Sequence, residues 1–346
     1  MNEQSLVKGA DSAPGRTTVG HTLNNLQALR ALAAIMVVLH HNYGGPFIWG
    51  HYGVDVFFVI SGFIMVHAVD PSKGAIDFYT RRVIRIVPLY WSITLGLFAV
   101  ALLKPGLIAS SDGNVTDLIK SLAFIPYWSE DIQVYHPIIF VGWTLNYEMF
   151  FYLLFGLCLW LQKKRQIVTL CIALLLTLVA LGFLFDGGPI FRFYTSPILL
   201  EFAAGMALAL GWHKLKLETF PAVMTVLVCL VTMAFVDPYR EFFHRGLLIG
   251  PVALVLVAAS LAAENAGHYV KNRLILLLGA ASYSLYLSHV YVLGLLDRLP
   301  IPGVEALWVL AVPVASILLY EWFERPVGSK LQKLAFAKER STTRLP

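Results

Sequence analysis

Arg30 and His41 lie eleven residues apart in RALAAIMVVLHH (30–41), which holds one permanent cation, nine apolar residues and two imidazoles. On a helix turning 100° per residue, eleven steps return to within about 20° of the starting direction, about 16 Å further along the axis. The two side chains therefore share a face, and His40 points about 100° aside. A guanidinium and an imidazole on one face of a lipid-like helix are costly toward hydrocarbon, so that face belongs against the bundle interior or a wet cavity. A neutral imidazole held there is suited to take a proton near neutral pH. Taken singly, Arg30 reads equally well as an interfacial arginine that snorkels.

Four further stretches place polar groups inside apolar runs. GVDVFFVISGF (53–63) opens with Asp55 just after a loop containing His51, and a carboxylate there orients a histidine or holds an arginine. Ser61-Gly62 reads as a close helix contact or bend rather than a nucleophile, because no base is spaced to activate the hydroxyl and G-x-S-x-G is absent. FYTRRVIRIVPLYW (78–91) sets Arg82 and Arg85 at i and i+3, two neighbouring forks suited to a phosphate-rich ligand. Ordinary positive-inside charge explains Arg81 and is the alternative for all three. FVGWTLNYEMFFY (140–152) carries Glu148 in mid-span near Trp143, Asn146 and Tyr147, with Thr144, Glu148 and Tyr152 on one face. Such a glutamate works in a site or partners a buried Arg or His. SYSLYLSHV (282–290) adds Ser282, Tyr286 and His289 on one side of a late segment, and Glu201 and Glu321 extend the set.

The elements that position these groups are membrane helices. Of the 346 residues 58% are hydrophobic and only 14% charged, with a mean hydropathy of +0.70, where a soluble domain is nearer a quarter charged. The net charge of +5 is accounted for by basic loops on the inner side and requires no nucleic acid. A span needs about 20 apolar residues. Ten segments qualify: 24–43, 52–69, 84–103, 138–161, 166–184, 195–212, 219–236, 246–263, 274–295 and 304–323. The apolar stretch 117–130 is short enough to be re-entrant or interfacial. With the N-terminus inside, twenty of the 26 Lys and Arg fall on the inner side. The expectation is an all-α polytopic transmembrane bundle of about ten spans with both termini cytoplasmic. Residues 1–22 form a flexible tail without a signal-peptide pattern, 23–326 the membrane domain, and 327–346 a basic tail. Cys158, Cys171 and Cys229 sit in apolar runs without metal-ligand spacing and read as buried fillers.

In order and spacing, the Arg-to-His stretch, GVDVFFVISGF, RRVIRIVPLYW, WTLNYEMFFY, SYSLYLSH and the closing YEWFERP resemble the acyltransferase-3 family of bacterial integral-membrane acyltransferases. The resemblance covers about residues 22–330 and is greatest to an exopolysaccharide O-acetyltransferase branch. It implies transfer of an acyl group, usually acetyl, from cytoplasmic acyl-CoA (acetyl-CoA) to a sugar hydroxyl of an exopolysaccharide or lipid-linked glycan. The setting would be the bacterial inner membrane, with membrane lipid as surroundings and no metal or nucleic acid involved.

The family's Arg-to-His motif falls on Arg30 and His41, its R-x-x-R on Arg82 and Arg85, and its W-x-x-x-x-E on Trp143 and Glu148. On this reading His41 is the general base, with Glu148 and Arg30 beside it. Arg82, Arg85 and Arg30 hold the donor, and Asp55, Trp143, Tyr147 and His289 contact the acceptor. An acyl-histidine relay is the variant mechanism. Some relatives carry a fused extracytoplasmic hydrolase-like domain. This chain ends soon after its tenth apolar segment, so transfer is expected to finish within the membrane unit.

Three rivals compete. A polytopic glycan transporter or flippase would line its path with the same residues, but no symmetric pair of Gly- or Pro-interrupted segments is present. The other large membrane O-acyltransferase fold would carry its histidine in a late span. A sensor or assembly factor would leave the converging polar motifs unexplained.

Overall fold

The computed structural model describes residues 23–107, 113–129, 134–236, 242–300 and 304–337. These fold almost wholly as helix, because a backbone in hydrocarbon must satisfy its own N–H and C=O groups. The first five helices are α1 (Asn24–Tyr43), α2 (Gly53–Ala68), α3 (Gly74–Leu103), α4 (Val115–Leu122) and α5 (Trp143–Cys158). Then come α6 (Lys164–Leu184), α7 (Gly188–Tyr194), α8 (Leu199–Ala209), α9 (Thr219–Phe235) and α10 (Phe242–Leu248). The last are α11 (Gly250–Asn265), α12 (Arg273–Ala280), α13 (Ser282–Leu296), α14 (Trp308–Leu319) and α15 (Arg325–Ala335). The only strands among the described residues, Trp128–Ser129 and Val134–Tyr135, pair antiparallel after α4.

Every one of the ten apolar segments contains a helix. Among the described residues, four continuous helical stretches are long and apolar enough to cross a membrane alone: Gly45–Ala68, Pro71–Leu103, Phe140–Leu161 and Lys164–Leu184. A fifth candidate is broken, since α12 and α13 meet at a bend of 77°. No proline announces this bend; it falls at Ala281, between α12, which Asn272 caps, and the start of α13. α1 has the length of a span, but its Asn-rich start and His-containing end lower its mean hydropathy. The residues 320–324 form a π-helical turn joining α14 to α15.

α1 is held centrally, against α2, α11, α12 and α13. It has no side-chain cap of its own. The Glu264 carboxylate at the end of α11 instead accepts from the Asn24 N–H (2.7 Å) and the Asn25 N–H (2.8 Å), satisfying orphan donors and the helix dipole together. α2 crosses α8 at backbone distance. A Cβ on Gly62 would lie 2.1 Å from the Phe202 carbonyl oxygen, and one on Gly205 would lie 2.0 Å from that of Val59. Gly62 therefore serves the close helix contact read from the sequence.

Large apolar side chains on the outer helices, such as Leu103, Leu184, Phe235 and Leu310, stand exposed. Water would oppose that arrangement and lipid does not. Arg81 lies over the Phe336 ring at 4.3 Å, so the basic start of α3 and the C-terminal end of α15 occupy one end of the bundle.

Candidate active site

A cavity of about 150 Å³ opens among α1, α2, α3, α5 and α13. Its charged lining is Arg30 from α1, Arg82 and Arg85 from α3, and Glu148 from α5. They come from three separate stretches of the sequence, around residues 30, 82–85 and 148, and the fold brings them together. Three guanidiniums face one carboxylate, an excess of two positive charges in a largely apolar enclosure. Each arginine is held differently. Arg30 Nη2 donates to Ser282 Oγ (2.9 Å) and Nη1 to Gln27 Oε1 (3.3 Å). The Arg82 guanidinium lies over the rings of Phe78 (5.6 Å) and Tyr152 (5.7 Å), and its buried Nε has no hydrogen-bond acceptor. A buried donor left unmade is costly, so an anionic oxygen entering the cavity gains a ready partner. Arg81, by contrast, turns out of the cavity and pairs with Asp77 (2.8 Å) one helical turn back.

Glu148 accepts from Ser61 Oγ (2.9 Å) and from the Tyr152 hydroxyl at the same oxygen, Oε1. Thr144, Glu148 and Tyr152 all line the cavity, as their shared helical face requires. Among the described residues no hydrogen bond joins Glu148 to His41. The π-helical turn aims Glu324 inward, where it accepts from Ser284 Oγ (2.5 Å) and faces Arg85 and Arg30. The cluster keeps a net positive charge.

His41 lies outside this cavity. The expected common face of Arg30 and His41 is real: Arg30 meets Ser282 and His41 meets His289, both on α13. His41 Nδ1 lies 2.9 Å from the Val37 carbonyl oxygen and 3.2 Å from His289 Nε2. The cavity wall on that side is Tyr286, whose hydroxyl donates to the Val141 carbonyl (3.1 Å) and accepts from Thr144 Oγ1 (3.1 Å). The Tyr286 ring is centred 6.0 Å from that of His289. Tyr286 thus stands between the arginine cluster and the histidine pair.

The four residues assigned to acceptor contact take other places. Asp55 is wholly buried, and its carboxylate is engaged by Arg245 through Nε (3.0 Å to Oδ1) and through Nη2. Arg245 Nη2 also donates to the His51 carbonyl (2.8 Å). Of the two readings open for Asp55, it holds an arginine, and that arginine is itself only 9% exposed. Tyr147 is buried against Phe193 (ring centres 3.8 Å apart, planes 15°), away from the cavity lining. Trp143 packs edge-on against Tyr147 (6.1 Å). His289 is fully buried and faces His41. None of the four lines the cavity. Glu321 pairs with Arg325 (2.8 Å) on an exposed face.

The Asp55–Arg245 pair carries a stability prediction. Asp55→Ala leaves a buried guanidinium uncompensated and is expected to cost about 3–5 kcal/mol, read as a lowered thermal midpoint in detergent. Asp55→Leu combined with Arg245→Met should lose much less than the two single changes added together. Strict additivity would contradict the pairing.

The sequence offered no signal for Arg245 as partner of Asp55, 190 residues away. It did hold one for the histidine pair: Ser282 and His289 are seven residues apart, nearly two whole turns, and so match a two-point face on α1.

A net-positive cavity and an imidazole pair inside a helical bundle with lipid-facing flanks define a membrane-embedded protein with charged groups gathered in its interior. Residues 23–320 match the acyltransferase domain of the acyltransferase-3 family; the chain belongs to that family and is an acyltransferase of the membrane. It is 35% identical over 294 residues to ExoZ, an exopolysaccharide production protein of Rhizobium meliloti (strain 1021), covering 82% of this chain and 91% of ExoZ. It is 28% identical to YrhL of Bacillus subtilis (strain 168), provisionally named a peptidoglycan O-acetyltransferase, over 88% of this chain and 55% of YrhL. It is 24% identical to the O-acetyltransferase OatA of Staphylococcus aureus (strain NCTC 8325 / PS 47), over 89% of this chain and 57% of OatA. The chain thus spans little more than half the length of YrhL and OatA. No solved structure matches it significantly.

Proposed function

We propose that this chain is an O-acetyltransferase of the bacterial inner membrane that moves an acetyl group from cytoplasmic acetyl-CoA to a sugar hydroxyl of an exopolysaccharide or lipid-linked glycan. The observation that carries the donor side is the convergence of Arg30, Arg82 and Arg85 in one cavity, with the Arg82 Nε donor lacking an acceptor. The similarity to ExoZ supports an exopolysaccharide acceptor. The ten apolar helical segments would cross the membrane in turn with both termini in the cytoplasm, which puts the arginine end of the bundle on the donor side.

Arg82 and Arg85 bind the anionic part of the donor by charge-assisted hydrogen bonds. Arg30, tied to Ser282, guides the thioester inward. Tyr286 yields when both substrates are bound, so that the thioester carbonyl meets the hydroxyl beside His41. The hydroxyl oxygen attacks the carbonyl carbon and its proton passes to His41 Nε2. The carbon–sulfur bond then breaks, and the thiolate takes that proton from His41. Products are an O-acetyl ester and CoA thiol.

Purified full-length protein incubated with acetyl-labelled acetyl-CoA and an exopolysaccharide acceptor is expected to place label on the glycan as an alkali-labile ester. A protein that only moves glycan across vesicle membranes, with no ester formed, would give the case to the transporter or flippase.

A further inference from the structure

His289 is wholly buried and does not line the arginine cavity, yet it directs a ring nitrogen at the imidazole that the proposed mechanism needs. Its Nδ1 lies 2.8 Å from the Tyr286 carbonyl and 3.1 Å from that of Leu285. Carbonyl oxygens only accept, so His289 Nδ1 carries the hydrogen, and neutral His289 keeps its lone pair on Nε2. The same logic holds at His41: Nδ1 lies 2.9 Å from the Val37 carbonyl and therefore donates. Its second acceptor is His289 Nε2 at 3.2 Å, with the rings 4.9 Å apart and inclined at 67°. This leaves the His41 lone pair on Nε2, which makes no hydrogen bond among the described residues.

We propose that His289 is a positioning residue for acyl transfer: its Nε2 accepts from His41 Nδ1–H, fixes the tautomer and rotation of that ring, and presents His41 Nε2 as the base. The inference rests on His41 being the base. It replaces acceptor contact as the role of His289, and it assigns to a second neutral imidazole the orienting work that a carboxylate does in a hydrolase triad. When His41 takes the hydroxyl proton at Nε2, its Nδ1–H keeps both acceptors, and His289 remains neutral because its own Nδ1–H is committed to backbone carbonyls. The other charged and titratable groups around the pair are Tyr286, its ring centred 6.0 Å from that of His289, His40, 5.0 Å from His41 on the same helix, and beyond it His51 and Arg245. None of these supplies an acceptor to His41 Nδ1.

The test compares His289→Leu and His289→Gln in the full-length purified protein, with acetyl-CoA as donor and a glycan acceptor, and with His41→Ala in parallel. His289→Leu is expected to lower kcat roughly tenfold or more, with the KM of donor and acceptor unchanged. The acid limb of the rate profile should move to lower pH, because the protonated His41 loses an acceptor. His289→Gln, whose side-chain oxygen reaches the same position, is expected to recover much of the loss.

A readout independent of turnover is the nitrogen-15 spectrum of labelled histidines in nanodiscs. His41 should report the Nδ1–H tautomer in the wild type and a mixture in His289→Leu. Unchanged kcat, acid limb and tautomer in His289→Leu would overturn the proposal. So would a raised acceptor KM at constant kcat, or equal losses in Leu and Gln with a common fall in thermal stability. If His41→Ala stays active, the base assignment itself fails. If His41→Ala is inactive and His289→Leu is normal in all three readouts, only the positioning role fails.

Discussion

His41→Ala is expected to lower the rate of acetyl transfer by about 10²–10⁴-fold while the protein inserts, stays folded and binds acetyl-CoA with wild-type affinity. The separation follows from the geometry. His41 makes its contacts through Nδ1 to a backbone carbonyl and to His289, outside the cavity that holds the arginines. Removing the imidazole therefore takes away the proton acceptor and leaves the donor cavity walled by Tyr286 and Thr144 as before. The measurement is label transfer from acetyl-CoA, set beside donor binding by calorimetry on the same preparation. Transfer near the wild-type rate would exclude His41 as the base. Loss of transfer together with loss of donor binding would mean that the two regions are not separable.

The second large effect is on binding. Hydrogen bonds to charged groups contribute about 1.5–3 kcal/mol each, so Arg82→Ala or Arg85→Ala is expected to weaken acetyl-CoA binding by roughly tenfold to a hundredfold. The double variant should lose more, though less than the product, because both arginines serve one anionic group. Raising ionic strength should weaken wild-type binding more steeply than that of the double variant. At saturating donor, kcat should change little, the mark of binding energy spent equally on ground and transition states. Arg81→Ala is the internal control. Arg81 belongs to the same basic run but is turned away from the cavity and paired with Asp77, so donor affinity should be unchanged. A double variant that binds acetyl-CoA as tightly as the wild type would remove the anion-binding role, and equal losses in all three arginine variants would reduce it to general surface charge.

Periodicity found the faces. Arg30 with His41, Arg82 with Arg85, and Thr144 with Glu148 and Tyr152 all sit as a 100° turn predicts, because a helix fixes relative direction over a few turns whatever surrounds it. Identity of side chain does not reveal the intramolecular partner in the same way. Polar and aromatic groups inside spans suggest a site, and Asp55, Tyr147, Trp143 and His289 are the residues for which acceptor contact is expected. In the structure each is taken up by an intramolecular partner: Arg245, Phe193, Tyr147 and His41 respectively. The break between α12 and α13 was equally hidden, since small residues permit a bend without demanding one.

Residue order alone makes this chain helical and suited to lipid, sets which stretches form helix and which face of each carries the polar groups, and, through the order of its motifs, marks its family. These are local or additive properties: hydropathy sums along a segment, and helical direction repeats every few residues. Packing between distant helices is what puts three arginines and Glu148 in one cavity, bonds Glu148 to Ser61 and Tyr152, pairs His41 with His289, and sets Tyr286 between the two regions. Such pairings depend on which helices touch and at what height. That is set by backbone approaches such as Gly62 to Phe202, made between segments too distant along the chain for any periodicity to relate.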